Sequence, residues 1–267
     1  MDRRTDPAPI LAGYRALLAS PLERRRHRAT TAAVTAVIPA WRGDQLLESA
    51  VDSFLAVAGP RSDVVVVADG AADGPHFQAV RRRPRTTVVH QRDGGASAAR
   101  NTGITFADGE YVLFLDDDDE LLPGFVDRAV ATLGADATLG FAVPWHVMAD
   151  EEDAAPDTAL RWCPLGAGQE LMTDTNVLGS SCAVVPRWIL DEPWARFEPT
   201  NSLNSDREFL ALLRRHGFGG AVVPVLGVRS VRLPTGLSLR HGGTLRPAAL
   251  REIEGRARAR EVLWATR

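Results

Sequence analysis

Tyr111-Val112-Leu113-Phe114-Leu115 runs straight into Asp116-Asp117-Asp118-Asp119-Glu120. Five apolar residues in a row read as a strand buried on both faces, the kind found in parallel sheets covered by helices. Such a strand delivers the five acids to its carboxyl end, where open α/β sheets bind their ligands. Packing like charges together costs free energy unless each carboxylate is paired or ligated. A divalent cation resolves the conflict, because hard oxygen ligands suit Mg2+ or Mn2+, which also take phosphate oxygens. The competing reading is a solvated acidic turn, which favours the following helix through its dipole and needs no metal.

Working outward, strands alternate with helices. Upstream, Val34 to Pro39 reads as a strand and Asp44 to Val57 as a helix with apolar Leu46, Leu47, Val51, Phe54 and Leu55. Asp63 to Ala68 carries four consecutive valines, residues 75–83 suit a short helix, Thr86 to His90 a strand, and Ser97 to Phe106 a helix. Downstream, Pro123 to Leu133 is helical, Gly140 to Met148 strand-like, Asp150 to Asp157 an acidic loop, and Val177 to Val185 strand-like. A helix from Asp206 to His216 stops at Gly217, and Ala221 to Val228, a Gly-rich loop and a helix from Pro247 onward follow. This order implies βαβ units: an α/β protein with a mostly parallel central sheet flanked by helices. The expected organisation is an N-terminal helical and basic extension (1–30), two halves of one domain (31–135 and 136–246) and a C-terminal helix (247–267).

Composition removes several classes of function. The 267 residues suffice for one elaborated domain, and the net charge of −3 decides nothing about nucleic acid, for which no partner is expected. All 31 basic residues are arginine, so no mechanism needing a lysine amine is available. Cys163 and Cys182 lack partner ligands at zinc spacing, which argues against a disulfide framework and for a reducing cytoplasm. No apolar run approaches the roughly 18 residues that cross a bilayer. Near the start, Ile10, Leu11, Tyr14, Leu17 and Leu18 recur at helical spacing, and Arg24-Arg25-Arg26-His27-Arg28 follows. That segment is either a helix packed on the domain with a solvated arginine tail or a peripheral contact with an anionic membrane surface.

Three further clusters carry chemistry. Asp69 ends the valine strand in Ala68-Asp69-Gly70-Ala71-Ala72-Asp73-Gly74, where a carboxylate can accept from a base or a ribose; an Asp-Gly turn explains it equally. Asp93-Gly94-Gly95-Ala96-Ser97-Ala98-Ala99-Arg100-Asn101 opens a helix, its glycines permitting close approach and Arg100 offering charge to acids or phosphate. It is neither a GxGxxG nor a P-loop. Ser205-Asp206-Arg207-Glu208 fits a capping box, and Asp206 also suits proton removal at a cleft.

As an ordered set these segments resemble the family 2 glycosyltransferases, whose pattern is a Val-Ile-Pro strand, an Asp-Asp-Gly-Ser turn, an Ala-Arg-Asn helix start and Gly-Glu-Tyr followed by Asp-x-Asp. The matching residues are Val37-Ile38-Pro39, Ala68 through Asp73, Asp93 through Asn101, and Gly109-Glu110-Tyr111 through Asp119. The resemblance implies a GT-A fold, with a nucleotide-sugar-binding half at 31–135 and an acceptor-facing half at 136–246, and an inverting transfer from a nucleotide-diphosphate sugar, UDP being the commonest. It places Pro39, Ala40, Asp69, Arg100, Asp116 and Asp117 at the nucleotide. Asp116 and Asp118 fall at a Mn2+ or Mg2+ ion, and Asp206 at the general base. Four positions depart from the pattern: Ala40 for a small hydroxyl residue, Ala68 for the first acid of a pair, Asp93 for Asn and Ser205 for Glu.

No acid separates Glu208 from Glu252, while Arg214, Arg215, Arg229, Arg232, Arg240, Arg246 and Arg251 all fall there with His241. The stretch reads as a basic loop able to close over a diphosphate through Arg232, Arg240 and His241, or as a solvated face. Trp145, His146 and Trp162 suit either an acceptor pocket or core packing. The acceptor is a glycan, lipid, peptide or small natural product. The rival to an enzyme is a non-catalytic module of the same fold that binds nucleotide sugars, and turnover of a donor separates the two.

Overall fold

In the computed structural model, the described residues are 32–149, 160–162, 182–200 and 205–231. The 1–30 extension, the 150–157 loop, residues 177–181, Cys163, Arg232, Arg240, His241 and the expected C-terminal helix lie outside them.

The first half is a run of βα units: β1 (Val34–Ala40), α1 (Gln45–Val57), β2 (Asp63–Asp69), α2 (Pro75–Arg81), β3 (Thr86–Gln91), α3 (Gly95–Phe106) and β4 (Tyr111–Phe114). Its strands pair in parallel in the order β3-β2-β1-β4. Then come β5 (Asp119–Leu121), α4 (Phe125–Ala135), β6 (Leu139–Ala149), β7 (Leu160–Trp162), β8 (Ala183–Pro186), α5 (Arg187–Leu190), α6 (Ser205–Arg215) and β9 (Gly219–Val231). Among the described residues the sheet continues β4-β8-β6-β9-β5, with β7 on β6. Here β8 runs antiparallel to β4 and β6, β5 antiparallel to β9, and β6 parallel to β9 with two irregularities around Trp145. The sheet is thus parallel from β3 to β4 and mixed beyond β4. Short β5 and β7 give no periodic signal of their own in the sequence, because three residues cannot show a period.

Side chains alternate across a strand, so each strand feeds two cores. On one face Ile38, Val66, Leu113 and Leu115 pack with Leu47 and Phe54 of α1 and Phe125 of α4. On the other, Val37, Val112 and Phe114 meet Ile104 of α3 and Phe209 and Leu213 of α6. Burying each such side chain is worth about 1.5–3 kcal/mol. Helix α1 starts where the Asp44 carboxylate accepts the Leu46 N–H at 3.0 Å. Helix α3 lies so close to β1 that a Cβ on Gly103 would stand 2.3 Å from Val37 Cγ1. Among the described residues no helix is long and apolar enough to cross a membrane.

Helix α6, far along the sequence, is tied to β4 through aromatic rings. Phe197 stacks on Phe209 with centroids 4.2 Å apart, and both meet Phe114 edge-on at 5.0 and 5.9 Å. The strand that ends in the acids and the helix that begins with Ser205-Asp206 therefore share one apolar anchor.

Candidate active site

The five acids are divided between the turn after β4 and the short strand β5. Asp119 belongs to β5, is buried, and shares a hydrogen bond with Ser230 opposite it on β9. Glu120 is paired with Arg229 at 3.2 Å, so Arg229 is a strand residue of β9 and not part of a loop. Pairing of β5 with β9 takes these two acids into the sheet and leaves Asp116, Asp117 and Asp118 in the turn after β4.

Those three differ in their surroundings. Asp116 accepts from Arg100 Nη2 at 2.5 Å. Asp117 Oδ2 accepts the Trp41 N–H at 3.3 Å, joining the acid turn to the end of β1. Burial, followed by the charges of Asp118 and Asp116, pushes Asp117 up to about 8. Burial and then Asp116 push Asp118 up to about 6, against the pull of Arg42. Carboxyls held above their ordinary range by burial and then by one another's charge are short of positive charge, and hard oxygen donors of this kind fit Mg2+ or Mn2+. Among the described residues no three His, Cys, Asp or Glu side chains converge as a ready-made cage. A magnesium-like ion does not require one, since one or two carboxylates plus substrate phosphates and water complete its shell. The donor set fits such an ion.

Asp69 ends β2 and is 4% exposed. Its Oδ1 accepts from Gln91 Nε2 at 2.8 Å and from the Gly94 N–H at 2.9 Å, so it braces the loop between β3 and α3. Oδ2 has no donor among the described residues. Gly70 makes the approach of that loop feasible: its φ is +68°, and a Cβ there would lie 2.8 Å from Asp93 Cβ. Pro39 and Ala40 pair with Val67 and Ala68 at the carboxyl end of the sheet, and both alanines are buried.

Arg100 is 4% exposed and connects two elements, donating from Nη2 to Asp116 and from Nη1 to Ser205 Oγ at 2.9 Å. This brings Asp206, the second residue of α6, towards the acid turn. Burial raises the Asp206 carboxyl above its ordinary range, while the Arg100 charge pulls it down. Ser205, which stands where a glutamate is usual, is the acceptor that Arg100 uses.

The residue that sequence reasoning passed over is Trp41. It directly follows β1, is 51% exposed, and lies under the Arg42 guanidinium at 5.7 Å. An aromatic ring held open beside the acid turn was visible in the sequence only as the residue after Pro39-Ala40. Trp145 and His146 are buried, as core packing requires, and neither ring nitrogen of His146 has a partner among the described residues. Burial alone pulls His146 down to about 4, so it is neutral. The side chain of Trp162 lies outside the described residues.

The fold is that of the GT-A glycosyltransferases. TarS of S. aureus, solved in complex with UDP, superimposes with a TM-score of 0.60 at 16% identity, covering 76% of this chain and 61% of that one. The chain belongs to glycosyl transferase family 2, whose family model matches residues 35–190. It is 31% identical over 196 residues to the succinoglycan biosynthesis protein ExoW of Rhizobium meliloti, covering 66% of this chain and 61% of that protein. It is 36% identical over 98 residues to the uncharacterized glycosyltransferase EpsJ of Bacillus subtilis, covering 36% of this chain and 28% of that one. The chain thus spans less than two thirds of the length of each of these relatives.

Proposed function

We propose that this protein is a metal-dependent, inverting glycosyltransferase that moves a sugar from a nucleotide-diphosphate donor, UDP-linked, onto an acceptor hydroxyl. The observation that carries this reading is the Arg100 bridge, which brings the start of α6, and Asp206 with it, to the acid turn at the carboxyl end of β4.

In this reading Asp69 Oδ2 accepts from the nucleobase, and Trp41 offers its open ring as a stacking surface for the same group. Asp116 and Asp117 face the ribose and diphosphate, with Pro39 and Ala40 lining the strand end. Asp116 and Asp118 would hold Mn2+ or Mg2+, which when bound neutralises charge on the departing diphosphate. Asp206 takes the proton from the acceptor hydroxyl as its oxygen attacks the anomeric carbon. A carboxyl raised by burial is a stronger base than a solvated one, which suits that task. Arg232, Arg240 and His241 are proposed to close over the diphosphate. The TarS complexes with UDP and UDP-GlcNAc support the choice of nucleotide by likeness of fold alone.

Asp206→Asn tests the reading, with release of UDP from UDP-GlcNAc in Mn2+ as the assay. The expected fall is about 10²–10⁴-fold, with UDP affinity and melting temperature unchanged. Persisting turnover with stability lower by about 1 kcal/mol would instead make Asp206 a dipole-complementing residue of α6.

A further inference from the structure

Two consecutive residues of α3 grip both ends of the segment that leads into Asp206. Asn101 makes a reciprocal pair with the Phe197 backbone: its Nδ2 donates to the carbonyl at 2.8 Å, and the Phe197 N–H donates to its Oδ1 at 2.9 Å. Arg100 holds the other end at Ser205 Oγ while its second terminal nitrogen holds Asp116. The Arg100 guanidinium also lies 5.4 Å from the Phe197 ring centroid, so both grips meet on that residue.

The chemistry of Arg100 limits what it can do. It is nearly buried, its two terminal nitrogens are engaged with protein acceptors, and Nε has no partner among the described residues. A flat, forked cation spanning two acceptors on different elements fixes their separation, which a single lysine nitrogen does less well.

We propose that Arg100 and Asn101 act as a two-point clamp, positioning residues that set the place of Asp206 relative to Asp116. The clamp rests on the reading of Asp206 as the base. At Ser205 a short, neutral hydroxyl receives Arg100 Nη1, which leaves the other terminal nitrogen for Asp116. Misplacing a catalytic group by about 1 Å can cost on the order of 10²-fold in rate, so a rigid clamp has a direct kinetic consequence.

The test uses the full chain and two readouts. The first is the titration of the Asp206 side chain by carboxyl-carbon NMR, assigned with Asp206→Asn. The second is kcat and KM for UDP release from UDP-GlcNAc in Mn2+ across pH. Asp206 faces the Arg100 cation, the Asp116 carboxylate and the Arg207 N–H. Removing or loosening the cation therefore moves its titration upward. Arg100→Gln should raise the Asp206 titration and shift the acid limb of kcat to higher pH. Ser205→Ala and Asn101→Ala should move the titration in the same direction and lower kcat at least tenfold, with KM within twofold. Ser205→Thr, which keeps the hydroxyl, should restore both. Should Asp206→Asn retain turnover, the base assignment fails, and the carboxyl titration still decides the clamp because it needs no donor. An Asp206 titration identical to the parent in Arg100→Gln and Ser205→Ala overturns the clamp.

Discussion

Raising the pH from 6.5 to 8 should destabilise the metal-free protein, and Asp117 should account for a measurable share of the loss. Asp117 is pushed up to about 8 in the folded chain, from an ordinary value near 3.8. Between those values the folded state binds the proton more tightly than the unfolded one, so stability falls as pH rises. Asp118, at about 6, acts in the same direction but is spent below this window. His146, pulled down to about 4, acts oppositely, and only below about 6.5, where the unfolded imidazole takes up a proton. Asp119 is held well above its ordinary range and adds to the slope, so the isolating comparison is Asp117→Asn. Integrating the linkage relation for one group of pKa about 8 over this window gives about 1.5 kcal/mol. For a chain of this size that is a fall of about 3–6 °C in melting temperature. Scanning calorimetry of parent and Asp117→Asn at pH 6.5, 7.25 and 8 in EDTA measures it. Saturating Mn2+ should flatten the parent's slope, because a nearby dication favours the charged carboxylate. Equal slopes for parent and variant in EDTA would show that Asp117 is not held protonated by its neighbours, and the electrostatic account of the acid turn would fail.

Asp118→Ala should abolish the Mn2+-dependent part of UDP binding in calorimetry; affinity unchanged by both the substitution and EDTA would remove the metal assignment. Asp69→Ala should weaken UDP binding. It should also raise amide exchange at Gly94, whose N–H loses its acceptor, and normal exchange with weaker binding would show that the loop is held by other contacts. Gly103→Ala should cost about 1–3 kcal/mol in urea unfolding, because the added methyl meets Val37. A neutral result would mean that α3 can back away from β1 without loss.

The sequence by itself determined the parallel half of the sheet. Continuous apolar runs such as Val64 to Val67 and Tyr111 to Leu115 can only be strands covered on both faces. The glycines and acids that follow them must then fall at one edge. Everything there is local, so period and punctuation suffice. Sequence alone could not divide the five acids, because Asp119 and Glu120 become strand residues only through pairing with β9, more than a hundred residues away. Nor could it choose between capping and proximity to the acid turn for Asp206: a Ser-Asp-Arg-Glu helix start looks the same wherever it points. Tertiary packing decided its place, since the aromatic contacts of Phe114, Phe197 and Phe209 and the reach of Arg100 to Ser205 join residues about a hundred positions apart. Periodicity records which face of an element is apolar; it holds no record of which distant element that face will meet.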